Sequence, residues 1–171
     1  MPRRAEGNLV QGVTGYVRYS ANVVSRGYTD IETDIELAAM LGGIESDLVE
    51  RKESPSDTEK IRRCICAFAN DLPAHGKPGI IAVGITDDGQ GAGLHVDDDL
   101  LKRLADMRGD GLTLPIPSMD VQRRSFDDCD IAVVTVQPAT DPPVRYKGRV
   151  WVRVGPTVRL ASAAEDRKSV V

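Results

Sequence analysis

Histidine, cysteine and aromatic residues are scarce in this sequence, and their scarcity argues against several classes of enzyme. The 171 residues include two histidines and three cysteines, and aromatic side chains make up 4% of the chain. With only two histidines, a catalytic triad or a histidine-rich metal centre is not expected. Cys64, Cys66 and Cys129 lack the spacing of a zinc site, so we expect buried thiols in a cytoplasmic protein.

Long apolar runs and an excess of positive charge are also lacking. No stretch approaches the ~20 apolar residues that a membrane-spanning helix needs, so no membrane partner is expected. The formal net charge is −4, from 22 Lys and Arg against 26 Asp and Glu. A protein that coats nucleic acid by bulk charge is therefore excluded, and a nucleic-acid role would need basic residues gathered on one face. The length and the apolar fraction of 41% predict one globular domain.

Hydrophobic periodicity predicts alternating helices and strands from residue 29 onward. Helices are expected near 29–42, after a capping box formed by Ser56 and Glu59, and after Asp97. Strands are expected at 47–53, 80–85, 119–126 and 131–136. Segment 80–85 is almost wholly apolar, which is typical of a central strand covered on both faces. A hairpin is expected around Lys147-Gly148, with Gly155-Pro156 closing that unit.

The two ends of the chain have a different character from the predicted domain at 29–164. Residues 1–28 are interrupted by glycines, and we interpret them as an N-terminal arm without an assigned role. Ser162 and Glu165 form a second capping box, so a helix is expected to begin there. The chain stops six residues after Glu165. We therefore expect 165–171 to be the start of a truncated helix, followed by a further domain, or else a short docking helix.

Charge is distributed unevenly along the chain. Residues 84–110 carry seven acidic and three basic side chains, whereas 142–164 carry five basic side chains and no acid. A basic strip of this kind could hold phosphates, with an affinity that falls as salt is added. Alternatively, lysine and arginine protect exposed edge strands. The five basic residues are Arg145, Lys147, Arg149, Arg153 and Arg159.

Three carboxylates follow predicted elements that could converge at one end of the sheet. Glu50 lies on the predicted strand 47–53, Glu45 in the turn before it, and Asp87 just past the central strand. Such a cluster would bind a hard cation, which can activate water against a phosphodiester. The simpler interpretation is that these acids are solvated or cap helices. Lys52 shares a face with Glu50, so it would pair with that acid or meet a phosphate.

Four motifs, in this order and spacing, resemble the Schlafen AlbA-like (AlbA_2) domain family over about residues 31–164. They are Glu45-Ser46 with 49–52, the run 65–70, the run 81–89, and 146–155 with its closing Val-Arg-Val-Gly. The resemblance implies an α/β (α+β) fold: a single domain with a mixed, mostly antiparallel sheet and packed helices. It also implies nucleic-acid binding, and in bacteria it often implies the N-terminal part of a longer transcriptional regulator.

In the Schlafen proteins the resemblance further implies metal-dependent cleavage of structured RNA by three acids. Matched residue by residue, these acids are Glu45, Glu50 and Asp87. The sequence departs from the family pattern at Arg51, where an aromatic is usual, and in the long loop 70–79, which replaces an Asn-x-x-Gly-Gly turn. The catalytic Schlafen domain is built from two such lobes, so a comparable clamp from this chain would require a homodimer.

Three hypotheses follow, each of a different class. The first is a module that binds DNA or RNA phosphates through Lys52 and the basic hairpin residues Arg145, Lys147, Arg149, Arg153 and Arg159. The second is an endoribonuclease in which Glu45, Glu50 and Asp87 are catalytic and hold Mg²⁺ or Mn²⁺. The third is a sensor or oligomerisation domain, motivated by the short helix that begins near Ser162.

Overall fold

The computed structural model describes residues 34–43 and 46–168, which form an α+β fold. The predicted arm at 1–28 and the acid Glu45 lie outside the described residues. None of the helices within the described ranges has the length and apolar run that crossing a membrane requires. The elements are α1 (Asp34–Leu41), β1 (Val49–Lys52), α2 (Thr58–Asn70), β2 (Gly79–Val83), α3 (Asp98–Asp106), β3 (Thr113–Leu114), β4 (Met119–Phe126), β5 (Cys129–Val136), β6 (Arg145–Tyr146), β7 (Trp151–Val154), β8 (Thr157–Leu160) and α4 (Ala163–Lys168).

The main sheet has four strands in the order β1-β2-β5-β4. β1 and β2 run parallel, whereas β5 runs antiparallel to both β2 and β4. The expectation of a mixed, mostly antiparallel sheet is therefore confirmed. All five residues of β2 are buried, because the strand lies inside the sheet and is covered on both faces.

Alternation of side chains along the strands divides the core into two layers. On one face α1 buries Leu37 and Leu41 against Val49 and the even-numbered residues of β2. The buried positions of this helix are Leu37 and Leu41, at i and i+4, so Ile35 lies off the buried face and is 82% exposed. On the other face α2, α3 and the C-terminal strands cover the odd-numbered residues of β2 and the even-numbered residues 132–136 of β5.

The turn at Lys147-Gly148 forms as expected, but its flanking strands pair elsewhere. Tyr146 and Arg149 exchange two backbone hydrogen bonds of 2.9 and 3.0 Å. Beyond this bridge, β6 pairs with β3, and β7 forms the true hairpin with β8 around Gly155-Pro156. The prediction of one continuous hairpin is therefore wrong. The ladder stops because the carbonyls of Val144 and Trp151 accept hydrogen bonds from the amide of Asn70, at 2.9 and 2.8 Å.

Helix caps were predicted correctly at two of three positions. Asp97 accepts a hydrogen bond from the backbone N–H of Leu100 and begins α3. The capping box of Ser162 and Glu165 forms in both directions. The N–H of Ser162 donates to the Glu165 carboxylate at 2.7 Å, and the N–H of Glu165 donates to the Ser162 hydroxyl at 3.3 Å. The expected box of Ser56 and Glu59 is wrong, because Asp57 caps α2. The carboxylate of Asp57 accepts from the backbone N–H of Lys60.

Candidate nucleic-acid interface

A buried ion pair between Glu50 and Arg153 ties β1 to β7. The Arg153 side chain is 1% exposed, and its Nη1 donates to Oε2 of Glu50 at 2.5 Å. The same guanidinium donates to the backbone carbonyl of Ser46 from Nε and Nη2, at 3.2 and 2.9 Å. Nη2 also donates to the carbonyl of Val49 at 2.8 Å. These contacts fix the segment between Ser46 and Glu50 against the C-terminal strands.

Arg153 was expected to contact phosphates, but its buried position prevents this. A guanidinium that is buried and already bonded to one carboxylate and two carbonyls has no surface to present to a nucleic acid. The expectation for Arg153 is corrected on this ground. Its role in the structure is to compensate the buried charge of Glu50, which is itself 8% exposed.

Lys52 and Glu50 lie next to each other, as the period-2 pattern predicts. The ammonium of Lys52 donates to Oε1 of Glu50, so each carboxylate oxygen already faces one cationic group. A metal ion bound at Glu50 would have to displace the ammonium of Lys52. Among the described residues there is no group of three acidic, histidine or cysteine side chains that could hold a metal ion.

Asp87 is exposed on the turn at 86–89, which follows β2. Gly89 in this turn packs against Arg51: a Cβ built on Gly89 would lie 2.8 Å from Nη1 of Arg51. Alternation along β1 places Arg51 and Glu50 on opposite faces of the sheet. Nη1 of Arg51 donates to the carbonyl of Leu41 at 3.1 Å, on the α1 face. The turn that carries Asp87 therefore contacts Arg51, whereas the side chain of Glu50 lies on the opposite face of β1.

Glu50 and Lys52 line a groove of about 340 Å³ between β1, α2 and the β7–β8 hairpin. We name it the basic groove. Three of its side chains are cations, Lys52, Lys60 and Arg63, and one is an anion, Glu50. The balance of positive charge in a concave site favours an anionic ligand. The groove is lined by Glu50, Lys52, Lys60, Arg63, Cys64, Trp151, Pro156, Thr157 and Val158.

Trp151 supplies an aromatic surface in the basic groove. The guanidinium of Arg63 lies over its ring, 4.4 Å from the centroid. Nε1 of Trp151 and Nε of Arg63 are buried, and neither has a hydrogen-bond partner within the described part of the chain. Two buried donors without acceptors lower stability unless a ligand oxygen or water meets them.

The basic residues expected on the hairpin surface are mostly paired with acids from other segments. Arg145 donates to Asp166 at 2.6 and 3.3 Å, and Arg159 donates to Glu165 at 2.7 and 2.9 Å. A hydrogen bond from Arg159 lowers the pKa of Glu165 to about 2. Arg149 is exposed, and within the described ranges it makes no ion pair.

Lys147 is paired in the same way and borders the basic groove. Its ammonium donates to Glu59 on α2, and this hydrogen bond lowers the pKa of the Glu59 carboxyl. Arg63 reaches the other oxygen of Glu59 at 3.4 Å. Exposed ion pairs of this kind contribute little to stability because solvent screens them, so a phosphate can replace the carboxylate as the partner of these cations.

Two features of the groove could be found from the sequence only in part. The sequence shows that Arg63 is basic and that Trp151 is the one tryptophan, whereas Lys60 was not among the predicted residues. The signal for Lys60 is its spacing: it lies three and four residues before Arg63 and Cys64, which places all three on one side of α2. What the spacing could not indicate is that this side of α2 faces Lys52 and Trp151.

Comparison with known proteins identifies relatives of this chain. The model of the family described as Schlafen, AlbA_2 matches residues 45–162, which is more than half of the chain. No curated protein matches the chain.

Two solved structures share the fold. The first is the crystal structure of the DIP2311 protein from Corynebacterium diphtheriae, at 20% identity and a TM-score of 0.51. This match covers 80% of the present chain and only 27% of that protein, so the chain spans about a quarter of its length. The second is the solution structure of the N-terminal domain of an ATP-dependent DNA helicase RecG-related protein from Nitrosomonas europaea, at 23% identity and a TM-score of 0.50. It covers 64% of this chain and 79% of that one.

Proposed function

Because the chain belongs to the Schlafen AlbA_2 domain family, we propose that it is a nucleic-acid-binding domain that holds backbone phosphates in the basic groove. The observation that carries the proposal is the convergence of Lys52, Lys60 and Arg63 from β1 and α2 beside Trp151. The relationship of one structural neighbour to a DNA helicase is in line with a nucleic-acid role. Lys147 and Arg149 extend the positive surface at the turn that follows β6.

The charges of the groove predict a modest, salt-dependent affinity. Three cations and one carboxylate line the groove, and the carboxylate, Glu50, is compensated by Arg153 inside the protein. Each phosphate neutralised on duplex DNA contributes ~0.9 to the slope of log affinity against log salt. Two to three phosphates in the groove would therefore give a slope of roughly −2 to −3.

Trp151 supports a preference for unpaired nucleotides. A base stacked on an aromatic ring contributes ~1–3 kcal/mol, and every base has a face that can stack. The Arg63 guanidinium over the Trp151 ring is the surface that a base would meet or replace. Single strands offer such a face, whereas a duplex buries it.

The proposal is tested by fluorescence anisotropy with labelled single-stranded RNA, single-stranded DNA and duplex DNA. Lys60→Gln and Arg63→Gln each remove one charge from the groove, and we expect each to reduce the salt slope by ~1. Lys102→Gln is the matched control, because Lys102 is an exposed lysine on α3 whose partner is Asp106. If Lys102→Gln weakens binding as much as the groove variants do, the groove is not the binding site.

A second candidate function, metal-dependent cleavage of RNA, is favoured by one observation: the Glu50 carboxylate lines the basic groove, where a phosphate would lie. The described residues do not by themselves fit a metal, since both oxygens of Glu50 are paired and no group of three ligand side chains lies among them. This candidate therefore depends on Glu45, and Mg²⁺ or Mn²⁺ would have to displace the ammonium of Lys52.

Cleavage is tested in the same preparations with tRNA, in Mg²⁺, in Mn²⁺ and in chelator. Glu50→Gln should abolish cleavage, but it also breaks the pair with Arg153, so Asp87→Asn serves as a second variant on an exposed residue. Metal-dependent cleavage that both variants lose, with binding retained, supports a nuclease. Cleavage that persists in both variants shows that the activity has another source.

A further inference from the structure

The outer edge of β4, eight residues long, pairs with no other strand among the described residues. β4 is the last strand of the main sheet, and within the described ranges no strand lies beyond it. The strand pairs with β5 in continuous register over all eight positions and contains no proline or glycine. Proteins usually interrupt or cover such an edge, because its free N–H and C=O groups are a template for another strand.

The hydrogen-bonding phase of β4 identifies which backbone groups point outward. Gln137 donates to the carbonyl of Ser118 at 2.9 Å, so residue 118 faces β5 with its backbone groups, and alternation extends this to the even-numbered residues of β4. The two-residue turn at Asp127-Asp128, with φ of 51° and 58°, gives the same phase from the other end of the strand. The outward N–H and C=O groups are those of Met119, Val121, Arg123 and Ser125.

From this edge we infer that two copies of the chain form a homodimer by antiparallel pairing of their β4 strands. A two-fold axis through Gln122 places the outward groups of Val121 opposite those of Arg123 of the partner subunit. The same axis places Asp120 opposite Arg124 of the partner subunit, in the pairs whose side chains lie closest. Pairing therefore brings two opposite-charge pairs together, one on each side of the axis.

The side chains of β4 favour pairing with a second copy of the chain over the alternative that charged residues protect the edge from pairing. Asp120 is half-buried, and within the described residues it has no cationic partner. Arg124 lies beside Asp34 of the same chain, with Nε 2.7 Å from Oδ1, and Arg123 approaches Asp98 at 3.9 Å, so acids of the same chain reduce the repulsion between two copies. An axis shifted to Arg123 would place two arginines face to face, and an axis shifted to Val121 would place Asp120 opposite glutamine, so the register centred on Gln122 is the one that forms both opposite-charge pairs.

The experiment measures the molar mass of the whole 171-residue chain by light scattering and sedimentation from ~1 to ~200 µM. Arg123→Pro removes an outward N–H and leaves the ladder to β5 intact, so it should raise the dimer dissociation constant at least tenfold. Asp120→Arg and Arg124→Asp should each weaken the dimer, and the double variant D120R/R124D should restore it. Asp34→Asn is the control for losing the internal partner of Arg124, and we expect it to leave the dimer unchanged.

Each outcome bears on the inference once circular dichroism has shown that the variants are folded. A dimer that Arg123→Pro dissociates and that the double reversal restores supports pairing at β4 in this register. A chain that is monomeric at 200 µM overturns it, as does a dimer that neither Arg123→Pro nor the single reversals weaken. The result does not depend on nucleic-acid binding, which is measured separately at the basic groove.

Discussion

Removal of the Arg153 guanidinium should destabilise the whole domain. Arg153→Met keeps the length of the side chain and loses four hydrogen bonds: one to Glu50, two to Ser46 and one to Val49. Breaking a buried pair by removing one partner typically costs 3–5 kcal/mol. Lys52 still faces the remaining carboxylate, so we expect the lower end of that range, about 3 kcal/mol.

Urea denaturation measures this loss through the fluorescence of Trp151, the only tryptophan in the chain. With a slope of about 2 kcal/mol per molar urea, the midpoint should fall by about 1.5 M. Arg149→Met is the control, because Arg149 is exposed, and its midpoint should shift by less than about 0.3 M. The double variant with Glu50→Gln should lose less than the two single losses added together. A midpoint for Arg153→Met within 0.5 M of the wild type, a loss of ~1 kcal/mol or less, would refute the reasoning.

Three further predictions concern individual side chains. Asn70→Ala should lower stability by ~2–4 kcal/mol in the same urea assay, because three buried hydrogen bonds link its amide to Val144 and Trp151; a loss below 1 kcal/mol contradicts this. Burial raises the pKa of the Cys66 thiol to about 11, so an alkylating reagent at pH 8 should modify Cys129 in the native protein and reach Cys66 only in denaturant. The depressed pKa of Glu165 makes its carboxylate stabilising above pH 4.5, and this contribution should disappear as the pH falls towards 2; the difference in melting temperature between wild type and Glu165→Gln should follow that window.

Elements with strong local patterns could be predicted from the sequence. The apolar run of β2 identifies a central strand, and β4 was predicted at its observed bounds, 119–126. Asp97 and Ser162 were recognised as caps because a cap depends on residues within one turn of the helix. Local information is sufficient where the interaction that stabilises an element is itself local.

The partners of the basic residues could not be predicted, because they come from distant segments. The stretch 142–164 has a charge of +5 along the chain, yet Lys147 meets Glu59 and Arg153 meets Glu50, 88 and 103 residues away. Alternation along β7 would place the apolar Val154 in the core and the charged Arg153 in solvent. The structure shows the reverse: Arg153 is buried and Val154 is 50% exposed. A count of charges along the sequence therefore overestimates the positive surface of the folded domain.

The buried pair and the groove are parts of one arrangement. Arg153 and Trp151 lie two residues apart on β7, so they point to the same face of the strand. The bonds from Arg153 to Glu50 and Ser46 hold that face against β1, which places Trp151 beside Lys52 and α2. Glu50 thereby positions the aromatic wall of the groove, while Arg153 and Lys52 compensate its charge. The bond to Arg153 accounts for an acid at this position even in a domain that only binds nucleic acid, so the case for cleavage depends on the place of Glu50 in the groove and not on its residue type.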